Sequence, residues 1–144
     1  MNPRILFSLS GDGNKASSRV RGFWIAEELE ALGVRCTLKW KQSKFDLLRF
    51  LLAIPSHDVV VFQKTYCRYH RWLMAFANRI GKRTYLDLDD APSRTHSPKT
   101  MANVEAMMRM ADGAIVGGGK LLEYAKTYQP RSHLVPSSIY LKYY

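Results

Sequence analysis

Asp87, Asp89 and Asp90 stand within four residues, directly after the apolar pair Tyr85-Leu86. Carboxylates this close repel one another and need a partner: a metal, an arginine or a sugar hydroxyl. All three are therefore candidate site residues. The competing reading is that they cap a turn or are simply solvated. No histidine or further acid clusters nearby in sequence, so no metal is expected; His96 is the one histidine near the aspartates.

A second polar stretch, Gly11-Asp12-Gly13-Asn14-Lys15-Ala16-Ser17-Ser18-Arg19, opens a helix. Gly11 and Gly13 permit close backbone approach to an anion, and free N–H groups lie beyond them. The third glycine of the dinucleotide fingerprint is missing, and the stretch is not a P-loop. Ser17 or Ser18 reads as the N-cap. Arg19 and Arg21 fall in the first turn, against the helix dipole, which suggests that they serve something other than helix stability; solvated arginines are the competing reading. Lys64, after a run of valines, could hold an anion. Gly117, Gly118 and Lys120 could cradle a phosphate, although such glycines also make strand–helix turns.

Alternating elements must position these residues. Apolar runs at 5–9, 34–38, 58–63, 84–88, 113–116 and 133–135 read as strands. Between them lie helical stripes: Gly22, Ile25, Leu29 and Leu32; the segment Lys44 to Ile54; Tyr69 to Ile80; Met101 to Ala111; and Leu121 to Tyr128. Gly33 and Gly81 stand where helix C′ glycines belong, and Ser97-Pro98 reads as an N-cap with proline at the first helical position. This alternation predicts an α/β domain, a three-layer, Rossmann-like, doubly wound parallel sheet of about six strands. Right-handed crossovers favour the order 3-2-1-4-5-6, with 2-1-3-4-5 the main competitor. The favoured order puts the ligand crevice between strands one and four, where the glycine loop and the loop Asp89-Asp90-Ala91-Pro92 meet.

The 144 residues suit one domain spanning 1–144, with 47% hydrophobic and 24% charged residues. No apolar run approaches the roughly 20 residues of a membrane span, and the start lacks a signal-peptide pattern, so a cytoplasmic protein is expected. Cys36 and Cys67 are too few for a disulfide framework or a zinc site. The net charge of +10 favours phosphate-bearing partners. No nucleic-acid motif accompanies that charge, so nucleic acid is not expected.

Ser18-Arg19-Val20-Arg21-Gly22 leading into Glu28-Leu29-Glu30-Ala31-Leu32-Gly33 resembles the first helix of GT-B glycosyltransferases of the family-four-like group. Asp58 to Lys64, Tyr85 to Ala91, Ala111 to Val116 and Leu134 to Ser138 are similar to that family in the same order. The resemblance implies an acceptor-binding domain of an enzyme that transfers a sugar from a nucleotide-sugar donor. The first-strand glycine loop would lie against the donor phosphates, and the end of the fourth strand would line the reaction centre. The family often has histidine there; this chain has Asp89 and Asp90, which the resemblance makes the candidate catalytic residues, for acid–base or electrostatic work. The donor-binding domain of the family is expected to be missing, which makes this chain by itself an inactive half. No cofactor is implied beyond the nucleotide sugar as substrate. The acceptor would be a sugar or a lipid-linked sugar.

The alternative is a stand-alone regulatory or anion-binding α/β domain. A receiver-like version needs its acid pair after the first strand, and here the acids follow the fourth. One surface expectation is added. Lys41 to Ile54 carries Phe45, Leu47, Leu48, Phe50, Leu51, Leu52 and Ile54 almost all around, and the next helix carries Arg68, Arg71, Arg79, Lys82 and Arg83. Apolar side chains beside cations suit an anionic membrane surface, so a peripheral membrane site is expected, with Phe50 as its probe. Packing of this helix against the sheet or its neighbours is the competing reading.

Overall fold

The helices end where the glycines require it. Gly33 and Gly81 have φ of 84° and 79°. Val34 N–H donates to Leu29 O and Lys82 N–H to Ala77 O, both at 2.9 Å, closing Schellman-type caps. Ser97 caps its helix as expected, accepting from Thr100 N–H at 3.2 Å with Pro98 in the first turn.

A computed structural model describes residues 1–91, 96–138 and 141–143. Pro92, at the end of the carboxylate loop, lies outside the described residues. The strands are β1 (Arg4–Leu9), β2 (Arg35–Trp40), β3 (Val59–Gln63), β4 (Arg83–Leu88), β5 (Gly113–Val116) and β6 (Ser132–Leu134). The helices are α1 (Ala16–Ser18), α2 (Trp24–Ala31), α3 (Asp46–Ala53), α4 (Arg68–Arg79), α5 (Pro98–Met110) and α6 (Gly119–Tyr128). A π-helical segment, Arg19–Phe23, joins α1 to α2.

Among the described residues the six strands form one parallel sheet, so the fold is the expected Rossmann-like α/β architecture. The order is β2-β1-β3-β4-β5-β6. This corrects the favoured expectation: β1 neighbours β3, not β4, and the strand reversal lies between β1 and β3. Handedness then assigns the faces. The β1-to-β2 crossover moves one way, and every later crossover moves the other way. Right-handed connections therefore put α1–α2 on one face and α3–α6 on the opposite face.

The cores follow. Leu6, Val60, Phe62, Leu86 and Leu88 meet α3–α6 through residues such as Phe50, Leu73, Met107 and Leu121. Phe7, Leu9 and Val61 meet Phe23, Ala26 and Leu29 on the other face. With one helical layer over six strands, that second face keeps an apolar groove of about 340 Å³ over Val61, Tyr85 and Ile115, edged by Val135 and Pro136.

Candidate functional site

The corrected crevice lies outside the carboxyl ends of β1 and β3, the position at which open α/β sheets bind ligands. Gln63, the last residue of β3, is fully buried. Its Oε1 accepts from Ser10 N–H at 3.3 Å, from Ser10 Oγ at 3.2 Å and from Ser18 Oγ at 3.4 Å. The backbone donor fixes the amide's orientation. Nε2 is left buried without a partner among the described residues. Thr65 Oγ1 donates to Ser8 Oγ at 3.1 Å, so hydroxyls crowd the seam between β1 and β3. The sequence reading passed over Gln63; an amide ending an otherwise apolar strand was the available signal.

Lys64 follows with φ of 50°, the left-handed region that a residue with a side chain enters at a cost. Its Nζ lies 2.9 Å from Asp89 Oδ1 and donates to Asp90 Oδ2, also at 2.9 Å. Burial opposes the lysine charge, but the Asp90 and Asp89 carboxylates outweigh it and hold the ammonium above its ordinary pKa. Asp89 is mostly enclosed, with 16% of its side chain exposed, whereas Asp90 is 76% exposed. Gly117 permits this enclosure, since a Cβ there would stand 3.1 Å from Asp89 O. The structure thus joins Lys64, Asp89, Asp90 and Gly117 at one rim. Tyr66 stands beside His96, ring centroids 6.3 Å apart, at the edge of the same loops.

Arg21 goes inward. Gly22 packs directly on β1, where a Cβ would fall 2.4 Å from a Leu9 methyl, and the widened π turn brings Arg21 over the sheet. Its Nε donates to both Asp87 oxygens at 3.0 and 2.9 Å, and Nη1 to Val135 O at 2.8 Å and Ser137 Oγ at 3.2 Å. The side chains are 5% and 4% exposed. Burial pushes the Asp87 carboxyl up against the pull of the guanidinium, while Asp87 holds Arg21 charged. Arg21 and Asp87 clamp the first helical segment to β4 and to the chain after β6. The sequence showed both residues but not their meeting, 66 positions apart.

The other anticipated residues scatter. The helix begins at Ala16 with Lys15 at its N-cap position, so Ser17 and Ser18 lie inside it rather than capping it; Ser18 turns to Gln63. Gly11 sits under Lys15, whose Nζ donates to Ser10 O at 3.3 Å. Arg19 Nη1 donates to Gly13 O at 3.4 Å, with the guanidinium over the Trp24 ring. Gly118 precedes α6 in an extended conformation, and Lys120 is exposed in the first turn. His57 is a buried structural residue, bonded to Ala53 O at 2.7 Å and to Thr37 Oγ1 at 2.8 Å. Burial raises the Cys36 thiol to about 11, and Cys67 is exposed. Among the described residues, no three histidine, cysteine or acidic side chains gather as a metal site, and no helix is long and apolar enough to cross a membrane.

A cavity of about 380 Å³, unforeseen in the sequence, opens across β1 from this rim, between the end of β2, α3 and α4. Lys39, Trp40, Lys41, Lys44, Arg49 and His70 contribute to its lining. Lys41 and Lys44 stand on the loop between β2 and α3, and Lys39 near the end of β2.

No protein-family model matches the chain, and no curated protein matches it in sequence. Solved structures share the fold. HepE of Anabaena, crystallised in complex with UDP, superposes with a TM-score of 0.60 at 10% identity over 96% of this chain and 45% of HepE. The chain thus spans less than half the length of HepE. A 3-dehydroquinate dehydratase-like protein of Bifidobacterium longum gives 0.52 at 15% identity, over 91% of this chain and 95% of that one. The type II dehydroquinase of Butyrivibrio crossotus gives 0.56 at 14% identity, over 88% and 92%. These likenesses show a common Rossmann-like fold.

Proposed function

We propose that this chain is the acceptor-side domain of an enzyme that transfers a sugar from a nucleotide-sugar donor. The observation that carries this reading is the rim at the strand carboxyl ends. A lysine in a strained backbone conformation there positions one enclosed and one exposed carboxylate, Asp89 and Asp90. A carboxylate held beside an ammonium is suited to orient an acceptor hydroxyl and to receive its proton as transfer proceeds. Gly11, Gly13, Ser17, Arg19, Gly117, Gly118 and Lys120, on neighbouring loops, are the proposed edge toward the donor phosphates; Arg21 supports that edge from beneath. HepE, which carries UDP, supports the nucleotide side of the reading, and its greater length leaves room for a further donor-binding part.

A second reading has one observation in its favour: the two dehydratase neighbours are matched over almost their whole length. That suits a stand-alone α/β domain. Three assays separate the readings. The 144-residue chain is expected to bind UDP weakly, to leave UDP-sugars intact, and to leave 3-dehydroquinate unchanged. Turnover of either substrate by this chain alone overturns the acceptor-domain proposal.

The peripheral-membrane proposal needs different residues from those the sequence suggested. Phe50 is a core residue, 7% exposed, its ring centroid 6.2 Å from that of Phe62. Ile54 is fully buried as well. The outward face of α3 instead presents Leu48 and Leu52, at 55% and 69% exposure, after Phe45 at 61%. Lys44 and Arg49 flank them. Such a face inserts shallowly among headgroups, and each nearby cation adds about 1 kcal/mol on an anionic surface. Co-sedimentation is expected with phosphatidylglycerol vesicles but not with phosphatidylcholine vesicles, and is expected to fall with salt and with Leu48→Ser plus Leu52→Ser. Equal sedimentation with both lipids, or none, excludes the membrane surface.

A further inference from the structure

We propose that the cavity between β2, α3 and α4 is a binding site for an organic phosphate, separate from the Lys64–Asp89 rim. Its lining brings together Lys39, Lys41, Lys44 and Arg49, against a single carboxylate, Asp46. That carboxylate is already committed: its Oδ2 accepts the Gln42 and Ser43 backbone N–H groups, which pin the loop before α3. Its Oδ1 stands 3.7 Å from Arg49 Nη1. Among the described residues no carboxylate pairs with Lys39, Lys41 or Lys44. Lys41 Nζ lies over the Tyr69 ring at 5.7 Å, and Lys44 Nζ over Phe45 at 5.4 Å. Cations gathered in a concave, partly apolar wall raise the local concentration of anions, and an anion that enters relieves their mutual repulsion.

The rest of the lining selects more than charge. Trp40, Leu47, Phe50 and Tyr69 supply an apolar wall suited to a ring or a short hydrocarbon part. His70 lines the same cavity, and its Nδ1 is buried without a partner among the described residues. Burial, then the charge of Lys41, lowers its pKa to about 4, so the ring is neutral near pH 7 and does not add to the cationic count. A neutral imidazole offers one donor and one acceptor, which suits a hydroxyl or ester oxygen next to a phosphate. The volume of about 380 Å³ lies within the range of small-molecule sites. The position outside the carboxyl ends of β1 and β2 is on the rim where open α/β sheets receive ligands.

Calorimetric titration of the chain with phenyl phosphate, inorganic phosphate and phenol tests the site. Phenyl phosphate is expected to bind more tightly than either fragment. Replacing Lys41→Gln and Arg49→Gln together is expected to weaken it about 10-fold or more, the equivalent of one or two charge-assisted hydrogen bonds. Lys126→Gln, exposed in the last turn of α6, is expected to leave it unchanged. A vesicle arm identifies the source of the phosphate. Preference for phosphatidic acid over phosphatidylglycerol, competed by phenyl phosphate, assigns a lipid phosphomonoester; no preference assigns a free organic phosphate. Absence of phenyl phosphate binding, or binding equally strong in the double variant and the Lys126 control, overturns the proposal. Lys64, Asp89 and Asp90 are untouched in these variants, so this failure is distinct from failure of the acceptor-domain reading.

Discussion

Asp87→Asn is expected to destabilise the fold by about 3–5 kcal/mol, because it leaves the Arg21 guanidinium buried with its charge unanswered. Net stabilities of domains are only about 5–15 kcal/mol, so much of the margin would go. Arg21 joins three parts of the chain, bonding Asp87 on β4 and both Val135 and Ser137 beyond β6. Its loss should therefore also loosen the segment after β6. The pair Arg21→Met with Asp87→Leu is expected to recover most of the loss, since apolar residues of similar volume replace a buried ion pair at little cost. Urea denaturation of the single and double variants measures both effects. A single variant within about 1 kcal/mol of the parent would mean that the clamp has the small value of a surface pair.

The second large effect concerns catalysis. In a sugar-transferring protein that contains this domain, Asp89→Asn is expected to lower turnover about 10²–10⁴-fold while the domain stays folded. Asp89 is enclosed beside Lys64 and has little water to replace its charge, so its loss should exceed that of Asp90, which is largely solvated. Steady-state rates with circular dichroism as a folding control decide the matter. Unchanged turnover in both Asp89→Asn and Asp90→Asn would reduce the pair to holding Lys64 at the end of β3.

Local rules made much of this molecule legible. Gly33, Gly81 and Ser97-Pro98 mark helix ends because left-handed φ, free backbone donors and a fixed proline φ are properties of single residues and their immediate neighbours. Alternation in β3 and β4 separates Phe62 and Leu86 from Val61 and Asp87 for a similar reason: side chains in an extended strand change face at every step. Asp89 and Asp90, after β4, were legible as a candidate site because their repulsion is itself local.

Tertiary structure alone decided the strand order. Whether β3 pairs with β1 or lies beyond β2 changes neither the period of any strand nor the handedness of any crossover, so no residue records it locally. That choice moved the crevice from β1 and β4 to β1 and β3. It gave Lys64 a central place and left Gln63 with a buried amide nitrogen that has no partner among the described residues. The Ser17 and Ser18 expectation failed because the helix starts two or three residues earlier than their cap chemistry suggests, which freed Ser18 to face Gln63. Phe50 looked like one apolar residue among many on α3. Only packing against Phe62 separated it from Leu48 and Leu52, because the apolar pattern surrounds the helix and the sheet covers one side of it. Arg21 with Asp87, and the lysines of the β2–α3 loop with His70, are encounters between distant segments. A sequence shows the partners of such encounters, and folding determines their distances.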